Sequence, residues 1–126
     1  MKEVMAIIRM NKMNQTKRAL ADAGISSLHA RECLGRGKGT VEIPQYIEGA
    51  ADRYAGMIEE LGIQGRLIPK RMIAIVVPDK LVKTVVNTVI AVNKTGKSGD
   101  GKIFVMPLSE SWRIRTGESG DEVLDQ

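Results

Sequence analysis

Residues 72–105 read MIAIVVPDKLVKTVVNTVIAVNKTGKSGDGKIFV. Met72–Val77 is an apolar run of strand length, and it stops at Pro78, which has no N–H to give to a ladder. Asp79 offers a helix cap. Leu81, Val82, Val85, Val86, Val89 and Ile90 then recur at i, i+1, i+4, a stripe that overrides the strand preference of valine. Lys94–Lys102 is a turn rich in glycine and lysine, and Ile103–Met106 follows as another strand. The stretch is one β-α-β unit.

Upstream the layout recurs. Val4–Ile8 is a continuous apolar run suited to a strand covered on at least one face. Asn11 or Asn14 can cap a helix through Lys17, Leu20 and Ala23, with Gly24 as its stop, and Ile25–Leu34 reads as the next strand. Two β-α-β units separated by a long insertion define the α+β, ferredoxin-like split βαβ plan, with two helices on one face of an antiparallel sheet. At 126 residues the chain is one domain, 1–126. The insertion, at about 37–67, exceeds an ordinary connection and is therefore functional, disordered or both. In it Ala50, Tyr54, Met57, Ile58 and Leu61 fall at helical spacing, either packed locally or presented to a partner.

Aromatic residues are confined to Tyr46, Tyr54, Phe104 and Trp112, so an aliphatic core is expected. Phe104 is assigned to that core. Cys33 is the only cysteine, which excludes an internal disulfide, suggests a reducing compartment and reads as a small buried hydrophobe. Without a leader or a long apolar run, a soluble cytoplasmic protein is expected. The net charge is +4, and its cations (Arg36, Lys38, Lys70, Arg71, Lys94, Lys97, Lys102, Arg113 and Arg115) gather in or beside glycine-rich turns. That placement favours a small anionic ligand over a solvated face. Beyond Gly117 the tail is acidic.

The loop Thr95–Lys102 lets several backbone N–H groups converge on an anion, with lysines to neutralise it. Arg113 and Arg115, at i and i+2, point the same way if they lie on an extended segment. Together they ask for a polyphosphate; a glycine loop without a ligand is the competing reading. Known phosphate templates fail. Gly96-Lys97-Ser98 resembles the end of a Walker A motif, but Ala91 stands where a glycine is needed. Thr40 and Phe104 break the two dinucleotide fingerprints begun by Gly35-x-Gly37 and Gly99-x-Gly101. Catalysis has little support. His29 is the single histidine, placed on a strand, no cluster has metal-ligand spacing, Glu59 and Glu60 diverge on a helix, and Glu42 and Glu48 could reach a ligand but, like most loop carboxylates, read as solvated. An RNA-binding module of this fold would need several exposed aromatics where Phe104 stands nearly alone, so nucleic acid is not expected.

Thr95–Val105 and Arg113–Glu118 resemble the C-terminal signature of the PII signal-transduction proteins, and Met1–Leu34 and Ile68–Ile90 are similar to the same family. The long insertion and the segment Leu34–Gly39 resemble its nitrogen-fixation branch, in particular the second type. The resemblance implies a trimer, pure or mixed with a paralogue, with ATP or ADP bound in clefts between subunits. It implies that Gly99, Asp100, Gly101 and Lys102 wrap the phosphates, while Arg113 and Arg115 reach over from the neighbouring subunit. Ile7 and Val76 would line the base and sugar, and Gly35, Gly37 and Lys38 would close the pocket. Lys70 matches the lysine that pairs with 2-oxoglutarate, a dianion that needs its own cation beside magnesium and ATP.

Three positions depart from the family pattern. Gly39 stands where a glutamine helps hold magnesium and 2-oxoglutarate, His29 replaces a threonine near the nucleotide, and neither Tyr46 nor Tyr54 matches a uridylylated tyrosine. The implied function is non-catalytic and allosteric: effectors bias the long loop, and the loop engages a target, dinitrogenase in this branch. An ammonium transporter or a transcriptional control protein is the alternative target.

Overall fold

The computed structural model describes residues 1–37 and 67–124. The expected helix through Ala50–Leu61, the positions Lys38 and Gly39, Glu42, Glu48, Glu59, Glu60 and both tyrosines lie outside the described residues. The elements are β1 (Lys2–Arg9), α1 (Met13–Asp22), β2 (His29–Gly35), β3 (Ile68–Val77), α2 (Val82–Asn93) and β4 (Lys102–Pro107). The strands form one antiparallel sheet in the order β2-β3-β1-β4. This is the split βαβ arrangement, with β1 paired to both β3 and β4.

Strand alternation fixes the two faces of the sheet. Val4, Ala6 and Ile8 on β1 and Ile73, Ile75 and Val77 on β3 are buried beneath the helices. Leu20, Val85 and Val89 meet them from above, and each such side chain contributes roughly 1.5–3 kcal/mol on burial. The helices are tied by a polar contact inside this apolar layer. Asn93 Nδ2 donates to Thr16 Oγ1 at 3.0 Å and to the Val89 carbonyl at 2.9 Å, while Thr16 Oγ1 donates to the Lys12 carbonyl at 2.8 Å.

Several expectations are corrected. The second strand starts at His29 rather than Ile25, because Ile25 finishes the preceding helix. Its N–H bonds to the Leu20 carbonyl at 2.8 Å and the Gly24 N–H to the Ala21 carbonyl at 3.0 Å, with Gly24 at φ 89°. This is the Schellman arrangement, and its apolar residue Ile25 is buried in the core with Leu20. Neither asparagine caps α1, whose N-cap is Lys12; Asn14 lies inside the helix. Asp79 is no cap either. It accepts from Lys2 Nζ and pairs with the N-terminal ammonium, both at 3.0 Å, and those two cations hold its carboxyl below the usual range. Phe104 is not in the core. Alternation turns Ile103 toward the helices and leaves Phe104 46% exposed on the other face, cross-strand from Met5. His29 is exposed at the start of β2.

Candidate functional site

The end of the sheet where β1 finishes and β4 begins carries the chemistry. Gly101 is what lets the loop sit there. At φ +111° it lies so close to β1 that a Cβ would fall 1.9 Å from the Ile7 carbonyl oxygen, a backbone atom that cannot step aside.

Asp100 organises the turn before it. Its carboxylate accepts from the Thr95 N–H at 2.8 Å, the Gly96 N–H at 2.9 Å and Thr95 Oγ1 at 2.5 Å. Arg9 Nη1, from the end of β1, meets the same carboxylate at 2.7 Å. Burial opposes ionisation of Asp100, but the bonds from Thr95, Arg9 and Gly96 together outweigh it and hold the carboxyl far below the usual carboxylate range. Arg9 Nη2 also donates to the Ser98 carbonyl at 3.2 Å, and Lys70 Nζ donates to the Gly99 carbonyl at 2.9 Å. Arg9 and Lys70 are cross-strand partners, so two buried cations stand side by side, each holding a carbonyl of the loop. Burial, then the neighbouring Arg9, push the Lys70 ammonium below the ordinary lysine range, against the opposing pull of Cys33 and Asp100.

Beside this loop opens a cleft of about 420 Å³. It gathers Ile7, Gly35, Gly37, Lys70, Gly99, Gly101 and Lys102, residues that the sequence placed at a ligand, and adds Arg36 and Ser98. Residues 36 and 98 thus line one cleft, which no sequence spacing reveals. Asp100 instead lines a second hollow of about 450 Å³ between β4 and α2. Val76 is not at the cleft of its own chain: it pairs with Glu3, four residues along β3 from the Met72 that faces Ile7, or roughly 13 Å at strand rise. Cys33, opposite Lys70, is half-buried; burial pushes its thiol up, against the opposing pull of Arg31 and Lys70.

Arg113 and Arg115 do not lie on an extended segment. A bridge between Trp112 and Ser119 closes a hairpin, residues 114–116 form its turn, and the Gly117 N–H bonds to the Arg113 carbonyl at 2.7 Å. The turn therefore removes the extended backbone on which residues i and i+2 would share a direction. Arg113 Nη1 pairs with Glu118 at 2.7 Å within the hairpin, and neither arginine lines the cleft of its own chain. Sequence reasoning missed Arg9 altogether. Its one signal was a cation directly after the apolar run Val4–Ile8.

Fold and cleft describe a ferredoxin-like protein with a basic, glycine-walled recess at one end of its sheet. The family model for nitrogen regulatory protein P-II matches residues 1–118. The nitrogen fixation nifHD region GlnB-like protein 2 of Methanobacterium ivanovii is 44% identical over 124 residues, 98% of this chain and 99% of that protein. The protein of the same description from Methanothermobacter marburgensis is 46% identical over 124 residues, 98% of this chain and 100% of that one. Among solved structures, Arabidopsis thaliana PII bound to citrate superposes with a TM-score of 0.70 at 30% identity, covering 96% of this chain and 86% of that one. The chain belongs to the nitrogen regulatory protein P-II family. Proteins of this family are signalling regulators, generally without catalytic activity. No helix among the described residues is long and apolar enough to cross a membrane.

Proposed function

We propose that this protein is a nitrogen-status sensor that binds ATP or ADP at Gly99–Lys102 and 2-oxoglutarate at Lys70, and regulates nitrogen fixation through a target, dinitrogenase. The observation that carries the reading is the cleft that joins Lys70 and Lys102 to the glycine walls of Gly35, Gly37, Gly99 and Gly101. Lys102 and the loop backbone suit a polyphosphate, which needs donors and charge without bulk. Lys70 is already spending one donor on a carbonyl; a carboxylate offers it a charge-assisted bond in exchange. The Arabidopsis relative is described with citrate bound, a small polycarboxylate of similar chemistry. The names of the two archaeal relatives support nitrogen fixation as the regulated process.

The residues suit magnesium only as an ion carried by ligand oxygens. Asp100 is the sole carboxylate lining either hollow among the described residues, and Arg9 and Thr95 occupy it. Magnesium would screen the phosphates from one another, while the chain orients them through its backbone and Lys102.

Trimeric assembly, pure or with a paralogue, is part of the proposal. It is supported by the sheet face left bare by the helices, where Phe104 is exposed, and by two arginines that lie off the cleft of their own chain. In a trimer Val76, Arg113 and Arg115 would approach a ligand from another copy.

Calorimetric titration of magnesium-ATP with and without 2-oxoglutarate tests the sensor. Saturable ATP binding that 2-oxoglutarate strengthens is the expected result, and binding of neither ligand sinks the reading. Lys70→Ala is expected to abolish the 2-oxoglutarate response; an intact response removes Lys70 from the site. Deleting residues 42–64 is expected to abolish binding to dinitrogenase, and unchanged binding would overturn the loop's role.

A further inference from the structure

We propose that Arg9 is the positioning residue of the phosphate-binding backbone: it sets the direction in which the peptides after Ser98 and Gly99 face, without touching the ligand. The inference rests on the nucleotide reading above. Arg9 lines neither hollow, and its side chain is only 5% exposed. It works from behind the loop. One prong fixes the Asp100 carboxylate at 2.7 Å and the other the Ser98 carbonyl at 3.2 Å, while Lys70 beside it holds the Gly99 carbonyl at 2.9 Å.

A peptide unit is planar and trans, so its C=O and N–H point in opposite directions. With the Ser98 carbonyl drawn toward Arg9, the Gly99 N–H points away from that guanidinium. With the Gly99 carbonyl drawn toward Lys70, the Asp100 N–H points away from that ammonium. Successive N–H groups turned outward by anchored carbonyls are the elements of an anion-binding nest. Lys70 cannot be the permanent anchor if an effector carboxylate claims it. Arg9 can, because Asp100 and Ser98, which it holds, are parts of the loop itself and its side chain is sealed from solvent. A planar fork is also required: the two partners are different groups, and a single ammonium offers no fixed pair of directions to reach them.

Titration of wild type, Arg9→Met and Arg9→Lys with ATP and with adenosine tests the assignment. ATP affinity should fall at least tenfold in Arg9→Met while adenosine affinity changes less than twofold, since only the phosphate contacts depend on the loop. Arg9→Lys keeps the charge but not the fork and should recover only a small part of the loss. Should Arg9→Met fold poorly, Asp100→Asn cuts the same link from the other side and should show the same ATP-selective loss. Equal losses for ATP and adenosine, or full recovery in Arg9→Lys, would overturn positioning in favour of general damage or simple charge. Wild-type protein that binds ATP alongside an Arg9→Met variant that binds it equally well overturns this inference alone. A wild type that binds no ATP overturns the nucleotide reading and this inference with it.

Discussion

The glycine loop at 95–101 and the hairpin at 111–120 are both short, polar and rich in turn residues, yet they are held in opposite ways. Beyond the bonds that Asp100 makes to Thr95 and Gly96 within it, the loop is fastened from outside itself. Arg9 arrives from β1, Lys70 from β3, and Gly101 rests directly on the Ile7 carbonyl. The hairpin fastens itself: Arg113 N–H to the Glu118 carbonyl at 2.8 Å, Gly120 N–H to the Ser111 carbonyl at 3.0 Å, and an exposed pair between Arg113 and Glu118. Its tip residue Ile114 is fully exposed and Trp112 is 62% exposed. A loop wired into the sheet transmits damage to the fold. A self-contained tongue does not.

Mutations can break that contrast. Gly101→Ala should have the largest effect, about 3 kcal/mol by urea denaturation, because the positive φ and the Ile7 carbonyl are both fixed. A loss below about 1 kcal/mol would mean that the loop detaches freely, erasing the difference between the two regions. Asp100→Ala comes next at about 2 kcal/mol, since it leaves a buried guanidinium without its carboxylate. In the hairpin, Glu118→Gln should leave the urea midpoint unchanged. It should raise rather than lower ATP affinity if Arg113 serves a neighbouring site, because Arg113 loses an intramolecular competitor.

The pH dependence sharpens the same point with a smaller effect. The native carboxyl of Asp100 titrates well below its unfolded value of about 4, so its contribution is complete above that value and is lost as pH falls toward the native one. The stability gap between wild type and Asp100→Asn should therefore stay constant from pH 8 to 5 and narrow below about pH 4. A gap that closes near pH 6 would mean that some other group carries the anchoring.

The sheet was legible because its signals are local. Val4–Ile8, Met72–Val77 and the valine stripe of α2 each declare their period within a few residues. Misreadings arose where one residue serves two elements. Ile25 looked like a strand residue but closes a helix, and Asp79 looked like a cap but serves the N-terminus and Lys2. At the site, glycines and lysines announced an anion loop, since backbone freedom and charge are properties of single residues. Arg9 was invisible for the opposite reason: its partner Asp100 is brought to it only by pairing β1 with β4. Arg113 and Arg115 share a direction only on an extended backbone, and the turn at 114–116 removes that condition.

The central position of β1 has a consequence for how the chain comes to be made. Among the described residues its first strand pairs with residues 70–77 and 102–107 alone. During synthesis, Val4–Ile8 must therefore wait as an apolar strand with both edges open until those later segments have emerged. Every contact that completes the sheet around β1 is distant in sequence, which slows folding and lengthens the window in which a nascent chain can pair with the wrong neighbour.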